Sequence, residues 1–401
     1  MKKIYICTVG TGTAGKYSNV AEGIMAAVRF AQPDFLLLLP STSEDSVAVA
    51  QLIEEGVVNI CRSEVMYLKN HDDLESCRKT IAEILYSQKK YGAVYLNPTS
   101  GTKQMTTAAV LAALDAEIEN IEYITGPRKD GVIITGKEQI STLNARKFIA
   151  EKYKFQVMEL IRANSAGAAV RLIKPYSDIF PETAGAAEMF YFWRRSDYNN
   201  ALKSAGDFTG SEWKKSRKIL AELRNAESSI NLIIIIDILN YAELCIKCGD
   251  AEEALAVLYR LVEMSAKLRL KEMAIDCDNL NNFAAVTGNP SLCISQSVRT
   301  QLQAMENHRN YHLGLRLSLE ILKSTDFAFC RNFLLNKKNW GILQKRNRTR
   351  YGHGFEYVKI DEINNLYNIF CSCLEDEWAE SGTLRQKIKY PNLELLIENE
   401  K

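Results

Sequence analysis

The sequence has no long apolar run, no excess of charge of one sign and few histidines. Its longest apolar stretch, Ile230–Leu239, contains Asn231 and Asp237, so it is too short and too polar to span a bilayer and is typical of a buried helix. A net charge of +1 excludes an overall basic field, so any surface that binds nucleic acid must be local. The N-terminal run Ile4–Val9 is too short for a signal peptide and predicts a strand. These absences indicate a cytosolic, cytoplasmic protein.

Metal-binding spacings occur twice, and neither is complete. Cys245 and Cys248 have zinc-ligand spacing, but they lie in a helical pattern and no second pair has the right spacing. His308 and His312 are four apart on a predicted helix and have no evident third ligand. Since the ten cysteines are scattered and no export signal is present, we interpret most of them as reduced core residues. We predict no metal site.

The 401 residues predict two domains or three of different architecture. In the first part, predicted strands alternate with amphipathic helices; the strands are Ile4–Val9, Phe35–Leu39, Val57–Cys61, Ala93–Leu96, Ile121–Ile124 and Val132–Thr135. This alternation predicts a doubly wound, Rossmann-like α/β domain with a mostly parallel sheet over residues 1–150. The remainder is helical in pattern and predicts a connector over 151–182 and an all-α domain over 183–401, with one long helix at Ser297–Leu322.

A glycine-rich loop follows the first predicted strand and precedes a helix, a setting in which backbone N–H groups bind phosphate. Its candidate ligand-binding residues are Gly10, Thr11, Gly12, Thr13, Gly15 and Lys16. The loop has the glycine spacing of a dinucleotide site, but the second strand ends at Pro40 without the acidic residue that binds ribose. It also begins like a P-loop, but Tyr17 stands where Mg²⁺ binding needs serine or threonine. An NAD(P)-dependent or P-loop enzyme is therefore a less favoured alternative, as is a plain tight turn.

A second loop joins the strand Ala93–Leu96 to a helix. Its hydroxyl and N–H groups can hold phosphates and ribose, while Lys103 supplies charge; a capped helix start at Thr99 or Thr102 is the plainer interpretation. The candidate ligand-binding residues are Asn97, Thr99, Ser100, Gly101, Thr102 and Lys103. Both loops follow the carboxyl ends of strands, where open α/β sheets bind ligands.

Asn97–Met105 resembles the Asn-x-Thr-Gly-Gly-Thr-Lys-x-Met signature of CARF domains, found in CRISPR-associated proteins, with Ser100 in place of a glycine. The loop Gly10–Gly15 is similar in position and character to the first ligand loop of that domain. The resemblance covers about residues 1–150. It implies a domain that dimerises and binds a cyclic oligoadenylate across the two-fold axis. The expected ring is cyclic tetra-adenylate, since a four-membered ring suits two-fold symmetry.

The basic segment Leu343–Gly354 contains His353, one of only four histidines. Arginines can hold a phosphate while an imidazole transfers a proton, and this set suits metal-free cleavage of RNA through its 2′-hydroxyl, which DNA lacks. The segment resembles the Arg-x4–6-His motif of HEPN ribonucleases. Both Arg346 and Arg348 fit the spacing; we favour Arg348, with Arg346 and Asn347 in support. A solvated basic loop with an incidental histidine is the alternative.

Asp250–Leu270 resembles the helix before the catalytic loop in one CARF–HEPN subfamily, and Tyr259, Arg260 and Glu263 are candidates to line an RNA site. The whole resemblance implies a cyclic-oligoadenylate-activated endoribonuclease of type III CRISPR antiviral defence. Such a protein is a homodimer that cuts single-stranded RNA without a cofactor, leaves a 2′,3′-cyclic phosphate and has neither DNA nor membrane as a partner. A non-catalytic nucleotide-sensing regulator would keep the first domain without needing the segment around His353.

Overall fold

The computed structural model describes residues 2–11, 17–129, 132–277, 282–307 and 312–400. The chain divides into two compact units, Met1–Phe155 and Gln156–Lys401. Among the described residues, no helix is long and apolar enough to cross a membrane. Helix Ala145–Arg162 contains the boundary between the two units.

The first unit alternates strands and helices as the sequence predicts. The strands are β1 (Lys2–Val9), β2 (Phe35–Pro40), β3 (Arg62–Val65), β4 (Gly92–Asn97), β5 (Asn120–Thr125), β6 (Arg128–Lys129), β7 (Val132–Ile133) and β8 (Gln139–Asn144). The helices are α1 (Tyr17–Ala31), α2 (Glu44–Val57), α3 (Leu74–Gln88) and α4 (Lys103–Asp115). Six strands form one sheet in the order β3-β2-β1-β4-β5-β8, in which only β8 is antiparallel to its neighbour, while β6 and β7 form a separate ribbon. The doubly wound α/β fold is confirmed.

The central strand β1 determines where a ligand can bind. It pairs with β2 on one side and β4 on the other, so the order of strands along the chain reverses at β1. Its residues from Ile4 to Val9 are buried, as expected for a parallel strand covered by helices on both faces. At such a reversal point the loops after neighbouring strands diverge to opposite faces and leave a crevice. The two loops singled out in the sequence, after β1 and after β4, border this crevice.

Both edges of the sheet differ from the sequence prediction. The predicted strand Val57–Cys61 is wrong: α2 continues to Val57, whose side chain is buried, and β3 begins at Arg62. Strand β8, at the other edge, was not predicted because its sequence, Gln-Ile-Ser-Thr-Leu-Asn, has no buried face. Edge strands are covered less than central ones, so their sequences carry a weak apolar signal.

The described residues of the second unit form helices joined by loops, with no strand among them, which confirms an all-α C-terminal domain. The helices are α5 (Ala145–Arg162), shared with the first unit, and α6 (Ala166–Ile173), α7 (Pro181–Trp193), α8 (Tyr198–Ser204), α9 (Ser211–Ala226), α10 (Leu232–Lys247), α11 (Ala251–Glu272), α12 (Asn282–Thr287), α13 (Gln296–Asn307), α14 (Leu315–Leu322), α15 (Lys337–Lys345), α16 (Ile360–Glu377), α17 (Ser381–Lys387) and α18 (Leu393–Leu396). The single helix predicted at Ser297–Leu322 is wrong, because Gly314 has extended backbone and starts α14 anew. His312 lies outside both helices, and His308 lies outside the described residues.

A buried carboxylate links three helices of this unit. Asp237 on α10 is 3% exposed and accepts hydrogen bonds from Trp193 Nε1 on α7 at 2.8 Å and from the Tyr198 hydroxyl on α8 at 2.9 Å. Burial raises the pKa of Asp237 from 3.8 to about 6, although the two donors partly oppose this shift by stabilising the carboxylate.

The raised pKa of Asp237 predicts a pH-dependent stability. Because the folded pKa lies above the unfolded one, the folded protein binds the proton more tightly, so this group loses stabilising free energy as pH rises from about 4 to about 6. The loss is on the order of 2–3 kcal/mol. We expect the free energy of unfolding of wild type, measured by urea denaturation, to fall relative to that of Asp237→Asn across this window. A difference that stays constant with pH would contradict this assignment.

Candidate functional site

The loops that follow β1 and β4 touch through their backbones. The Gly10 N–H donates to Ser100 Oγ at 3.0 Å. A Cβ on Gly10 would lie 2.6 Å from Gly101 N and 2.8 Å from Gly101 Cα, so a larger residue would push the loops apart. Gly101 has a φ of +140°, a conformation that side-chain-bearing residues rarely adopt. Glycine is therefore required on both sides of this contact.

Side chains of the second loop fix its shape. Thr99 Oγ1 accepts a hydrogen bond from Ile124 N at 2.8 Å, which ties the loop to β5. Thr102 caps α4 by accepting from Met105 N at 3.2 Å, and its hydroxyl donates to the carbonyl of His71 at 3.0 Å. The helix-capping interpretation is thus correct for Thr102, and it is compatible with ligand binding by the same loop.

Beneath the second loop lies a buried polar network. Asn97 Nδ2 donates to the Tyr5 hydroxyl at 3.1 Å, and this hydroxyl donates to Glu122 Oε2 at 2.7 Å. Asn97 also accepts from Thr99 N at 3.1 Å. Burial raises the pKa of the Tyr5 phenol well above its usual range, so the phenol keeps its proton as a donor. Asn97, a predicted ligand residue, is only 2% exposed and supports the loop from below.

Removing the Tyr5 hydroxyl tests this support. In Tyr5→Phe, Glu122 loses its donor and Asn97 loses its acceptor while both stay buried. We expect the free energy of unfolding to fall by about 1–3 kcal/mol, as for other buried polar groups left without partners. The matched control is Tyr91→Phe, because Tyr91 is 68% exposed. Its free energy of unfolding should be close to that of wild type. Equal stability of the two variants would show that the network contributes nothing.

The two loops border a cavity of about 560 Å³. Six of the predicted ligand residues line it: Gly10, Thr11, Thr99, Ser100, Gly101 and Thr102. Lys103 is exposed at the start of α4 and is not part of the lining, while Gly12, Thr13, Gly15 and Lys16 lie outside the described residues.

The lining also contains polar residues that the sequence analysis missed, namely Asn19, Ser41, Ser43, His71, Arg128 and Glu138. Ser41 follows β2, and His71 follows β3 in the segment that leads into α3. Both therefore lie at the carboxyl end of the sheet, and the rule that identified the first two loops could have found them. The Nδ1 atom of His71 is buried and has no hydrogen-bond partner among the described residues. It is a group to which a ligand could bind.

The second candidate site is a closed loop between α15 and α16. After α15 the chain makes a 3₁₀ turn, Arg346–Arg348, and then folds back onto it. His353 N donates to the carbonyl of Asn347 at 2.9 Å, and Glu356 N donates to the carbonyl of Arg348 at 2.7 Å. The buried Thr349 hydroxyl donates to the carbonyl of Arg346 at 2.9 Å. The four residues that the sequence singled out as catalytic thus belong to this one closed loop.

Glycines on either side of His353 allow this closure. A Cβ on Gly352 would lie 2.5 Å from the Asn347 carbonyl oxygen, and one on Gly354 would collide with the Arg348 carbonyl. The Gly-His-Gly sequence is therefore a requirement of the backbone path as well as the setting of the imidazole.

The arginines of this loop have different partners. Arg348 forms an ion pair with Glu356, which holds the pKa of that carboxyl below its usual range. The Arg346 guanidinium lies 5.3 Å from the centroid of the Tyr259 ring on α11 and donates to Asn347 Oδ1 at 3.2 Å. Arg350 is 2.8 Å from a carboxylate oxygen of Glu252, also on α11. The contacts of Arg346 with Tyr259 and of Arg350 with Glu252 hold the loop against α11.

Of the three α11 candidates, only Tyr259 has a described contact with the loop. Arg260 pairs with Glu263 at 3.0 Å on the same helix. Within the described part of the chain, no group of three or more His, Cys, Asp or Glu side chains is arranged to hold a metal ion. Cys245 is buried, which raises its pKa to about 12 and disfavours the thiolate that binds metals.

Comparison with known proteins gives one family match, in the helical half, and a structural match along the chain. A family model described as "Csm6 HEPN domain" matches residues 223–376, which include the whole Arg346–His353 segment. A solved structure, Enterococcus italicus Csm6 bound to cyclic hexa-2′-fluoro-hexa-dAMP, has the same fold, with a TM-score of 0.57 and 14% identity over 96% of this chain and 100% of that chain. No curated protein matches the sequence.

Residues 223–376 are similar to the HEPN domain of Csm6, which confirms the HEPN part of the resemblance seen in the sequence. The structural match shows that the chain shares the fold of the Enterococcus italicus protein.

Proposed function

We propose that the chain is a cyclic-oligoadenylate-activated, metal-independent endoribonuclease that cleaves single-stranded RNA in type III CRISPR defence in the cytoplasm. The observation that carries this proposal is the closed loop between α15 and α16, which contains Arg346, Asn347, Arg348 and His353. It lies within the region similar to a Csm6 HEPN domain.

The turn supplies the groups that RNA cleavage requires. The 2′-oxygen attacks the adjacent phosphorus as its proton is removed, and the bond to the 5′-oxygen of the next nucleotide breaks. The products are a 2′,3′-cyclic phosphate and a 5′-hydroxyl, whose oxygen receives a proton. His353 would transfer a proton, and the guanidinium groups would stabilise the extra negative charge on phosphorus. DNA lacks the attacking hydroxyl and would remain uncut.

The cavity of the first unit would bind the activator. Its backbone N–H groups and hydroxyls suit phosphates and ribose, and Arg128 supplies positive charge. We propose a homodimer in which the ring lies across the two-fold axis and residues 151–182 transmit its binding. The sequence favours a four-membered ring, whereas the Enterococcus italicus protein is named with a six-membered one, so both rings belong in the test.

Ring-dependent RNA cleavage in EDTA tests this proposal directly. We expect wild type to cut single-stranded RNA in EDTA when cyclic tetra- or hexa-adenylate is added, and to leave DNA of the same sequence intact. His353→Ala should lose about 100-fold or more in rate, and His312→Ala serves as the matched control. Failure of both rings to activate would contradict the proposed activation. Activity that disappears in EDTA would contradict the metal-independent mechanism.

Single variants separate the roles of the two arginines. Both arginines fit the spacing to His353; we favour Arg348, but this side chain is paired with Glu356 and must exchange that carboxylate for a phosphate. We expect Arg348→Ala to lower kcat by about 100-fold or more and Arg346→Ala to act less strongly. Glu356→Gln should tighten RNA binding because it removes the competing carboxylate.

Arg316→Ala, which removes an arginine paired with Glu320 on α14, away from this loop, is the matched control for these kinetics. A larger loss of kcat in Arg346→Ala than in Arg348→Ala would reverse the assignment. The primary readout is single-turnover cleavage at saturating RNA.

A further inference from the structure

Two aromatic side chains just after the catalytic turn face solvent. Phe355 is 98% exposed and Tyr357 is 76% exposed. Scattered exposed apolar residues are ordinary on protein surfaces. Here two large rings, separated by a single residue, follow a candidate catalytic histidine. Packing of the fold does not require this arrangement.

The backbone holds both rings on the same side. Residues 355–359 contain no helix or strand, and exposure alternates along them. Glu356 turns toward Arg348, and Val358 is buried at 1% exposure. Phe355 and Tyr357 therefore point outward together, as alternate residues of an extended chain do. The bond from Glu356 N to the Arg348 carbonyl and the start of α16 at Ile360 anchor the segment at its two ends.

The surroundings of the rings are basic and aromatic. Residues 345–359 contain five lysines and arginines but a single acidic residue, Glu356. The Arg350 guanidinium lies 5.5 Å from the centroid of the Tyr351 ring, and Arg346 lies against Tyr259. Interleaved cations and exposed rings suit a ligand that is both a polyanion and a carrier of flat bases. The same surface of a second copy would carry the same positive charge, so RNA is the better occupant.

We propose that Phe355 and Tyr357 form a base-stacking platform that holds the nucleotide next to the phosphate to be cut. This inference rests on the proposed RNA cleavage and extends it to the substrate. A base can stack on a side chain only after it leaves a duplex stack, so the platform would select unpaired RNA. Every base has a flat face, so it would do so with weak sequence preference.

RNA binding measures the platform without relying on turnover. The Phe355→Ala and Tyr357→Ala variants and their double variant are compared in a His353→Ala background by fluorescence anisotropy of a short single-stranded RNA. We expect each loss of a ring to weaken binding by about 5- to 100-fold. The conservative variants Phe355→Trp and Tyr357→Phe should restore binding. The matched controls are Phe30→Ala and Tyr91→Ala, since both rings are 68% exposed on the first unit.

Abasic RNA separates stacking from charge and from a merely structural effect. If the rings stack on bases, the protein that keeps both rings should bind RNA lacking bases around the cut more weakly than normal RNA. The double variant should bind the two RNAs equally. Equal discrimination by both proteins would overturn the proposal, as would unchanged binding in the double variant. If light scattering shows that the double variant is a monomer where the protein with both rings is a dimer, the proposal is also overturned, because the rings then contact a second copy of the chain. RNA that binds through the rings but is not cut would contradict the proposed function alone.

Discussion

The first unit depends on the close approach of Gly10 to Gly101. Strand β1 lies between β2 and β4, and this order places the loops after β1 and β4 at one crevice. With no Cβ between them, the backbones meet, and Ser100 accepts the Gly10 N–H. The Tyr5 network then supports the second loop from below. The result is a cavity whose lining includes glycine N–H groups and hydroxyl side chains of the two loops, groups that can bind phosphate.

The second unit uses the same device for another purpose. Gly352 and Gly354 let the chain return onto the carbonyls of Asn347 and Arg348, so that His353 is held beside the arginines by main-chain hydrogen bonds. The backbone therefore fixes the position of these candidate residues; His353 is exposed, while Arg348 is paired with Glu356. In both units, glycine acts by permitting contact rather than by adding flexibility.

The sequence was sufficient for the features that depend on local chemistry. Buried parallel strands are continuous apolar runs, and the loops after β1 and β4 contain the small residues that their backbones require. It was insufficient where a feature depends on assembly. His71 can be found by the loop rule only once the strand before it is placed at Arg62–Val65 instead of Val57–Cys61, and the pairing of Arg348 with Glu356 follows from how the loop closes. Strand β8 has no buried face because it lies at an edge of the sheet, so its sequence lacks the apolar pattern that predicts a strand.

We propose that a cyclic oligoadenylate binds the cavity built on the Gly10–Gly101 contact and thereby switches on the nuclease. Calorimetric titration of cyclic tetra- and hexa-adenylate into Gly10→Ala measures this binding. The control is Gly382→Ala, where an added Cβ meets nothing within 4 Å. We expect Gly10→Ala to keep its fold by circular dichroism but to bind the activating ring at least about 10-fold more weakly, a cost near 1.4 kcal/mol, while the control binds normally. Unchanged ring affinity in Gly10→Ala would contradict it.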